Sequence, residues 1–481
     1  MNEPEPEQVT ADGAVAAPTS DWKGEELKST LKFLAVPAVL GGITTALQLP
    51  TWVLYGVGAV IAVVLLSRTM KDPEWLMALA IIYLPFSMMY VIPIAPGVNG
   101  TNGVLLLLLY CVSRHGYHPS MPPPGTGVVK AYAFITLFSV VTAFVTVSGD
   151  FVLDHWLDVK RWIDPFIVFF TFVRLLRNGN MARRMMVYMM LGAVAVLIIG
   201  FQEWLEKRGV GSMEKARLLG PQLQPNDFGA FLAYSATPFL AWLLVNIHKP
   251  RVLAVCVPFL LTMARVLLAT FSRGAYFGFA VGAVVAGYIR GKMFLLGAAV
   301  LGLALVIAVP EVVPQSLQAR MGQTSSDPGP AQKLDNSSQT RLILWEAAMK
   351  MTMQSPLFGW GFKTFPKFKS NFTEQPVHES DNHNMYLYLA SQMGIPAVVV
   401  FALLLWRTYA IGVQVYRMGA DSFTSVCGMS AAALAACTAL INMFGSRMVD
   451  ISVTVYFWIT LAVVSRLRME IEERKLVETE Q

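Results

Sequence analysis

The stretch Ser380–Trp406, SDNHNMYLYLASQMGIPAVVVFALLLW, opens polar, with His383 between two asparagines, and closes on an unbroken apolar run. Gly394 and Pro396 interrupt the chain just before that run, which separates a short helix from a full one. The run continues past Trp406 and reaches the roughly 20-residue length that an α-helix needs to cross a hydrocarbon core of about 30 Å. Histidine is a poor residue for such a core. Its place at the edge of the run, behind a long polar segment, asks for an account.

Working outward, apolar windows of the same kind recur along the whole chain. Candidate spans lie near 32–48, 51–67, 75–93, 103–114, 129–147, 162–176, 186–204, 229–247, 251–270, 273–289, 293–309, 395–416, 423–443 and 450–466. The composition agrees: 55% of residues are hydrophobic, 14% are charged, and the mean hydropathy is +0.53. A soluble domain carries about a quarter charged residues, and a globular interior has no room for this much apolar surface. The windows are continuous rather than alternating, which selects helices over a barrel, since a spanning helix bonds its own backbone internally. The expected fold class is all-α: a polytopic helical membrane protein of about 12–14 transmembrane helices with one large polar loop carrying amphipathic helices.

Residues 1–30 are acidic and rich in Pro, Ala and Glu, and lack the basic start and short apolar core of a cleavable signal. They read as a disordered cytoplasmic tail. Residues 31–309 then form an N-terminal transmembrane bundle, 310–394 the large loop, 395–466 the C-terminal transmembrane helices and 467–481 a cytoplasmic tail. Cys111, Cys256, Cys427 and Cys437 all fall in apolar windows and read as small packing residues. The formal charge of +6 does not point to nucleic acid, because the basic residues cluster in short connections between spans.

Orientation follows from that clustering, since Lys and Arg are retained on the cytoplasmic side. With the N-terminus inside, the inner connections include Arg68/Lys71, Arg177/Arg183/Arg184, Lys249/Arg251, Arg290/Lys292 and Arg407/Arg417, and the tail opening with Arg466 and Arg468 also lands inside. Pro310–Asp381 then lies outside, which for a bacterial inner membrane is the periplasm. Within it, RLILWEAAMKMTMQSPLFGWG places Leu342, Trp345, Ala348, Met349 and Thr352 near helical spacing, an amphipathic helix resting on the bundle or the interface.

Several basic residues land outside against this rule: Lys160, Arg161, Lys215, Arg217, Arg273, Arg341 and Arg447. Arg273 opens a span in LATFSRGAYFGFAVGAVV. One reading is a snorkelling interfacial arginine; the other is an anion clamp, because the guanidinium fork matches phosphate oxygens in pairs. In RLLGPQLQPNDFGAF, Arg217–Phe231, Gly220, Pro221 and Pro225 break the helix and Asn226 or Asp227 is placed to cap the next span, while Arg217 is placed to lean into the same anion site. The 148–162 loop, SGDFVLDHWLDVKRW, adds His155 among charges and aromatics, as a sugar contact or as a solvated loop. His383 falls at an expected helix start with Ser380 or Asp381 as cap, and Leu387, Ala390 and Gly394 share its face. Alone it reads as a satisfied interfacial histidine or as a catalyst. A metal site is the weaker idea, because no second His or Cys stands at ligand spacing.

Taken together, SRGA at a span start, R-x3-W-x-A-A-M followed by S-P-L-F-G-W-G, and HN-x2-L-x2-L-x4-G-I-P before a span resemble the O-antigen ligase family of bacterial envelope glycosyltransferases. The resemblance covers roughly Arg217 to Leu405 and lies in the order, spacing and common outer placement of the motifs. It implies transfer of a glycan from an undecaprenyl-diphosphate carrier to an acceptor hydroxyl on the periplasmic face, with inversion and without a metal or cofactor. His383 matches the family histidine that acts on the acceptor, and Arg273 and Arg341 match arginines that hold the diphosphate. Arg217, Lys160, Arg161, Asn226 and Asn384 stand beside them as candidate substrate contacts.

The implied partners are the lipid-linked donor, a glycan or lipid A-core acceptor, membrane lipids, and a chain-length regulator and flippase of the same pathway. The expected reaction is polymerisation of a surface polysaccharide, O-antigen or exopolysaccharide; the alternative is ligation to lipid A-core or protein O-glycosylation. A flippase or other transporter is the alternative from another class. It would show inverted repeats and ionisable groups at mid-membrane, whereas here those groups gather at span ends and in the loop.

Overall fold

The computed structural model describes residues 28, 67–68, 71–91, 93–95, 98–119, 121–210, 213–294, 296–297, 336–374 and 377–480. The candidate spans 32–48 and 51–67, most of 293–309, the N-terminal tail apart from Lys28, and the first part of the polar loop lie outside the described residues.

In chain order the elements are α1 (Glu74–Tyr83), a 3-10 turn (Leu84–Phe86), the antiparallel pair β1 (Pro93–Ala95) and β2 (Val98–Asn99), α2 (Gly100–His115), α3 (Thr126–Thr146), α4 (Gly149–Asp154), α5 (Trp156–Leu175) and α6 (Gly179–Glu206). There follow α7 (Met213–Ala216), α8 (Pro225–Val245), α9 (Pro250–Ala269), α10 (Arg273–Arg290), α11 (Asn336–Gln354) and α12 (Phe365–Phe368). The chain closes with α13 (Met385–Met393), α14 (Ile395–Met418), α15 (Ser422–Ile441) and α16 (Ile451–Glu480). Seven described helices, α3, α6, α8, α9, α14, α15 and α16, are long and apolar enough to cross a membrane. The protein is an all-α polytopic membrane protein.

Helix α16 is buried without interruption from Ile451 to Leu467, as an all-round apolar helix must be when it occupies the middle of a bundle. Trp458 meets the edge of Phe166 on α5 at 5.4 Å between ring centroids. Helix α3 is the opposite case. Its Phe134, Val141 and Val145 are 68%, 57% and 77% exposed, an apolar face that lipid accepts and water does not. Short polar side chains cap the spans: Asn178 accepts the Met181 amide at 2.8 Å, and Asp421 accepts those of Phe423 and Thr424 at 2.9 Å.

Polar pairs sort to the two ends of the bundle. At one end Arg184 donates to both oxygens of Glu74 at 2.7 and 2.6 Å, and the Tyr188 hydroxyl adds a bond of 2.8 Å. Beside it Arg183 reaches Asp421 at 3.3 Å and Glu470 at 3.2 Å. This ties the starts of α1, α6 and α15 to the last turns of α16. Arg290, closing α10, donates to the Leu244 carbonyl at 2.9 Å at the end of α8. The opposite end gathers the starts of α8, α10 and α16, the end of α15 and the segment before α13.

Three local expectations change. The loop helix α11 forms, but its buried stripe is Leu344, Ala347, Ala348 and Met351, while Leu342 and Met349 are half exposed. That i, i+3, i+4, i+7 set packs with Phe365 in a small core of its own, turning the helix away from the anticipated face. Helix α8 is capped by Gln224, whose side chain accepts the Asp227 amide at 2.7 Å, with Pro225 at the first turn; Asn226 and Asp227 are left to other partners. Arg407 lies within α14 rather than in a connection, exposed on its surface.

Candidate functional site

His383 precedes α13 rather than opening it. Asn384 is the cap, accepting the amides of Tyr386 and Leu387 at 3.0 and 3.2 Å, and Asn382 accepts the Asn384 amide at 3.1 Å. Between the two asparagines His383 takes the left-handed backbone conformation, φ 55°. Few residues other than glycine are held there, although histidine enters it more readily than most, and such conformations collect at functional sites. The neighbouring motif shares the trait, since Phe271, two residues before Arg273, has φ 54°.

Helix α11 holds this turn from one side. The Trp345 indole donates to the Asn382 carbonyl at 2.8 Å. Arg341 lies one helical turn before Trp345, and its charge acts on the His383 ring. The S-P-L-F-G-W-G segment locks α11 to α13. The Trp360 amide donates to Ser391 at 3.0 Å, the Gly361 amide to Gln392 at 2.9 Å, and the Trp360 indole to Met351 at 2.9 Å. Gly359, at φ +65°, is pressed against the backbone of Gln392, where a Cβ would lie 2.3 Å from the carbonyl carbon.

The α15–α16 connection holds it from the other side. The Met385 amide donates to the Asn442 carbonyl at 2.8 Å. Ser446 Oγ donates to Asp381 Oδ1 at 2.9 Å, and Asp381 Oδ2 lies 3.6 Å from His383 Nδ1. Arg447 is paired with Asp227 at the start of α8. Asp227 in turn lies within electrostatic reach of Asp450 and Asp381, and Asp450 reaches Asp164 on α5. Burial holds the His383 imidazole below its ordinary range; Asp381 opposes this, Arg341 and Arg447 reinforce it, and Glu379 opposes it. Burial thus favours the neutral form of the ring. Nearby, burial lowers the affinity of the Lys369 amine for its proton, and that amine donates to the Glu379 carbonyl.

The remaining sequence-derived residues divide. Arg217 donates to the Thr270 carbonyl at 3.1 Å and to Asn226 Oδ1 at 3.0 Å, so this pair braces the turn that leads into Arg273. Arg273 opens α10, where Gly274 allows the helix to press on Phe444, three residues before Arg447. Lys160 is bonded to Asp164 at 2.6 Å, and Arg161, 62% exposed, is 3.6 Å from Asp158. His155 is turned onto the Phe151 carbonyl at 2.9 Å. Asn384 is committed to its cap. Sequence reasoning left Asp381, Ser446, Asp227 and Asp450 out of the site. Asp381, Ser446 and Asp450 stand within a few residues of His383 or Arg447 in sequence, whereas Asp227 reaches Arg447 only through the fold, across 220 positions.

Residues 258–402 match a family model described as O-antigen ligase. No curated protein matches the chain. The matched segment runs from within α9 into α14 and contains Arg273, Arg341, Trp345, His383 and Asn384; Lys160, Arg161, Arg217, Asn226 and Arg447 lie outside it.

Proposed function

We propose, from the premise that this O-antigen ligase-like membrane protein is a glycosyl-transfer enzyme working on a lipid-linked donor, that His383 is its general base. The donor is an undecaprenyl-diphosphate glycan and the acceptor a sugar hydroxyl of a surface polysaccharide. One observation carries the reading. His383 Nδ1 lies 3.6 Å from Asp381 and the ring feels the charges of Arg341 and Arg447, at the end of the bundle where α8, α10 and α16 begin.

The acceptor oxygen attacks the anomeric carbon from the face opposite the diphosphate. The carbon–oxygen bond to phosphate breaks, its electron pair leaves on the diphosphate, and the acceptor proton passes to His383. Asp381 faces Nδ1 and favours the tautomer protonated there, leaving the Nε2 lone pair for the acceptor. As the imidazolium forms, the same carboxylate stabilises it. Proton removal by such a base contributes about 10²–10⁴-fold. Fixed guanidinium groups, Arg341 and Arg273 with Arg217 behind the latter, meet the charge that grows on the leaving diphosphate, which needs no reorganisation at the moment of reaction. This supplies positive charge without a metal.

The polar end anchored by Arg183, Arg184, Arg290 and Arg417 supports placing that end in the cytoplasm, both termini with it, and the His383 end in the periplasm of an inner-membrane protein. On this reading residues 310–394 are the catalytic loop between two transmembrane segments. Purified protein incubated with undecaprenyl-diphosphate oligosaccharide should extend or transfer the glycan on a gel, and His383→Ala and Arg273→Ala should each abolish this at unchanged expression. Full activity in both variants overturns the assignment. Offering lipid-linked repeat unit, lipid A-core or protein as acceptor separates polymerase, the reading favoured here, from ligase and protein glycosylase.

A further inference from the structure

At the end opposite His383, helices α6 and α9 do not close on each other. Val187, Leu191 and Val194 of α6 face Val252 and Val255 of α9, with Trp242 of α8 behind, around an open cavity of about 930 Å³. A second cavity of about 400 Å³ starts at the same Val194 and continues along Ile198 and Phe201 to Pro258 and Thr262. The two meet at Val194 and lie in line along α6 from Val187 to Gln202, about 22 Å at 1.5 Å per residue. Leu191, Ile198 and Val255 are 41%, 53% and 50% exposed, so the groove opens sideways.

Its mouth is basic. His248, Lys249 and Arg251 line the cavity where α8 gives way to α9, and Lys249 is steadied at the rim by a 2.8 Å bond to Asn246. Asp421 also borders the mouth, but its oxygens are taken by the Phe423 and Thr424 amides, the Thr424 hydroxyl and Arg183. Lys249 and Arg251 outnumber that one carboxylate, so the rim keeps a net positive charge. An apolar channel of this length with a cationic mouth at the headgroup level is complementary to one kind of molecule, a chain-bearing anion.

We infer that the α6–α9 groove binds an anionic phospholipid of the leaflet opposite the His383 end, its phosphate at Lys249 and Arg251 and one acyl chain along Val187–Gln202. The groove is separate from the proposed transfer site and does not depend on it. A lipid whose phosphate lies at this mouth belongs to the other leaflet from a donor presented at His383.

The test is reconstitution into vesicles of equal parts phosphatidylglycerol and phosphatidylcholine, with and without undecaprenyl phosphate, followed by native mass spectrometry of the retained lipid. The intact protein should retain phosphatidylglycerol at least fivefold over phosphatidylcholine, and the exposed double variant Lys249→Gln/Arg251→Gln should return the ratio to that of the vesicle. Val194→Phe, which keeps the charges but narrows the groove, should lower the total lipid retained. Retention in the vesicle ratio by the intact protein overturns the inference. So does an unchanged ratio in the double variant, or displacement of phosphatidylglycerol by an equal amount of undecaprenyl phosphate.

Discussion

Ser446 Oγ donates a 2.9 Å hydrogen bond to Asp381 Oδ1, joining the α15–α16 connection to the turn before α13 across 65 positions of sequence. The bond directs the other carboxylate oxygen at His383 Nδ1. On the proposed reading Asp381 orients the ring and counters the charge the ring acquires, and the electrostatic part can be tested by experiment.

Asp381→Asn keeps the hydrogen bond and removes the charge. Activity that needs a neutral imidazole disappears as pH falls through the His383 pKa, which burial and the two arginines hold below the ordinary value of about 6.5. Asp381 pulls that pKa upward, so its loss moves the acidic limb of kcat/KM to lower pH while kcat falls about 10²-fold. Arg341→Gln moves the same limb the other way. A pH profile of both variants checks the two signs together.

Trp345→Phe removes the indole donor from the Asn382 carbonyl, a bond of 2.8 Å. The lost hydrogen bond costs about 1 kcal/mol of stability. Because the carbonyl belongs to the turn that carries His383, kcat should fall about tenfold with KM for the donor unchanged. A change confined to the thermal midpoint would leave Trp345 with a purely structural role.

Arg447→Ala strips Asp227 of its partner at the start of α8, where the carboxylate is three-quarters buried. An orphaned carboxylate of this kind costs about 3 kcal/mol. The double variant Asp227→Ala/Arg447→Ala should recover much of that loss, a coupling of about 1–3 kcal/mol in chemical denaturation.

Arg184→Ala at the opposite end leaves Glu74 with the Tyr188 hydroxyl alone among its described side-chain donors. Stability should fall by about 3–5 kcal/mol, while transfer per folded molecule stays at the level of the unaltered protein. Comparing this variant with Arg447→Ala distinguishes damage to the bundle from damage beside His383.

Much of the architecture was written in local pattern. A continuous apolar window has one way to satisfy its backbone in lipid, so α3, α6, α8, α9, α14, α15 and α16 are legible from composition alone. The motifs that resemble the O-antigen ligase family singled out His383, Arg273 and Arg341 as candidates without any coordinates. Capping was harder to read. Gln224 and Asn384 displaced the expected caps by two to four residues, because several neighbouring side chains offer the same acceptor and packing chooses among them. The loop helix showed the same limit, since its periodicity allows more than one apolar face and only the contact with Phe365 selects Leu344, Ala347, Ala348 and Met351.

By itself, then, the amino-acid order determined that this chain lives in a membrane as helices and that a histidine and several arginines collect at span ends. Which of them meet was settled by the tertiary fold: Arg341 and Arg447 act on His383 through space, Asp381 is turned by Ser446, and Lys160 is withdrawn onto Asp164. The reason is physical. Burial in lipid is a property of each segment alone, whereas a charge chooses its partner only after the helices that carry both have packed.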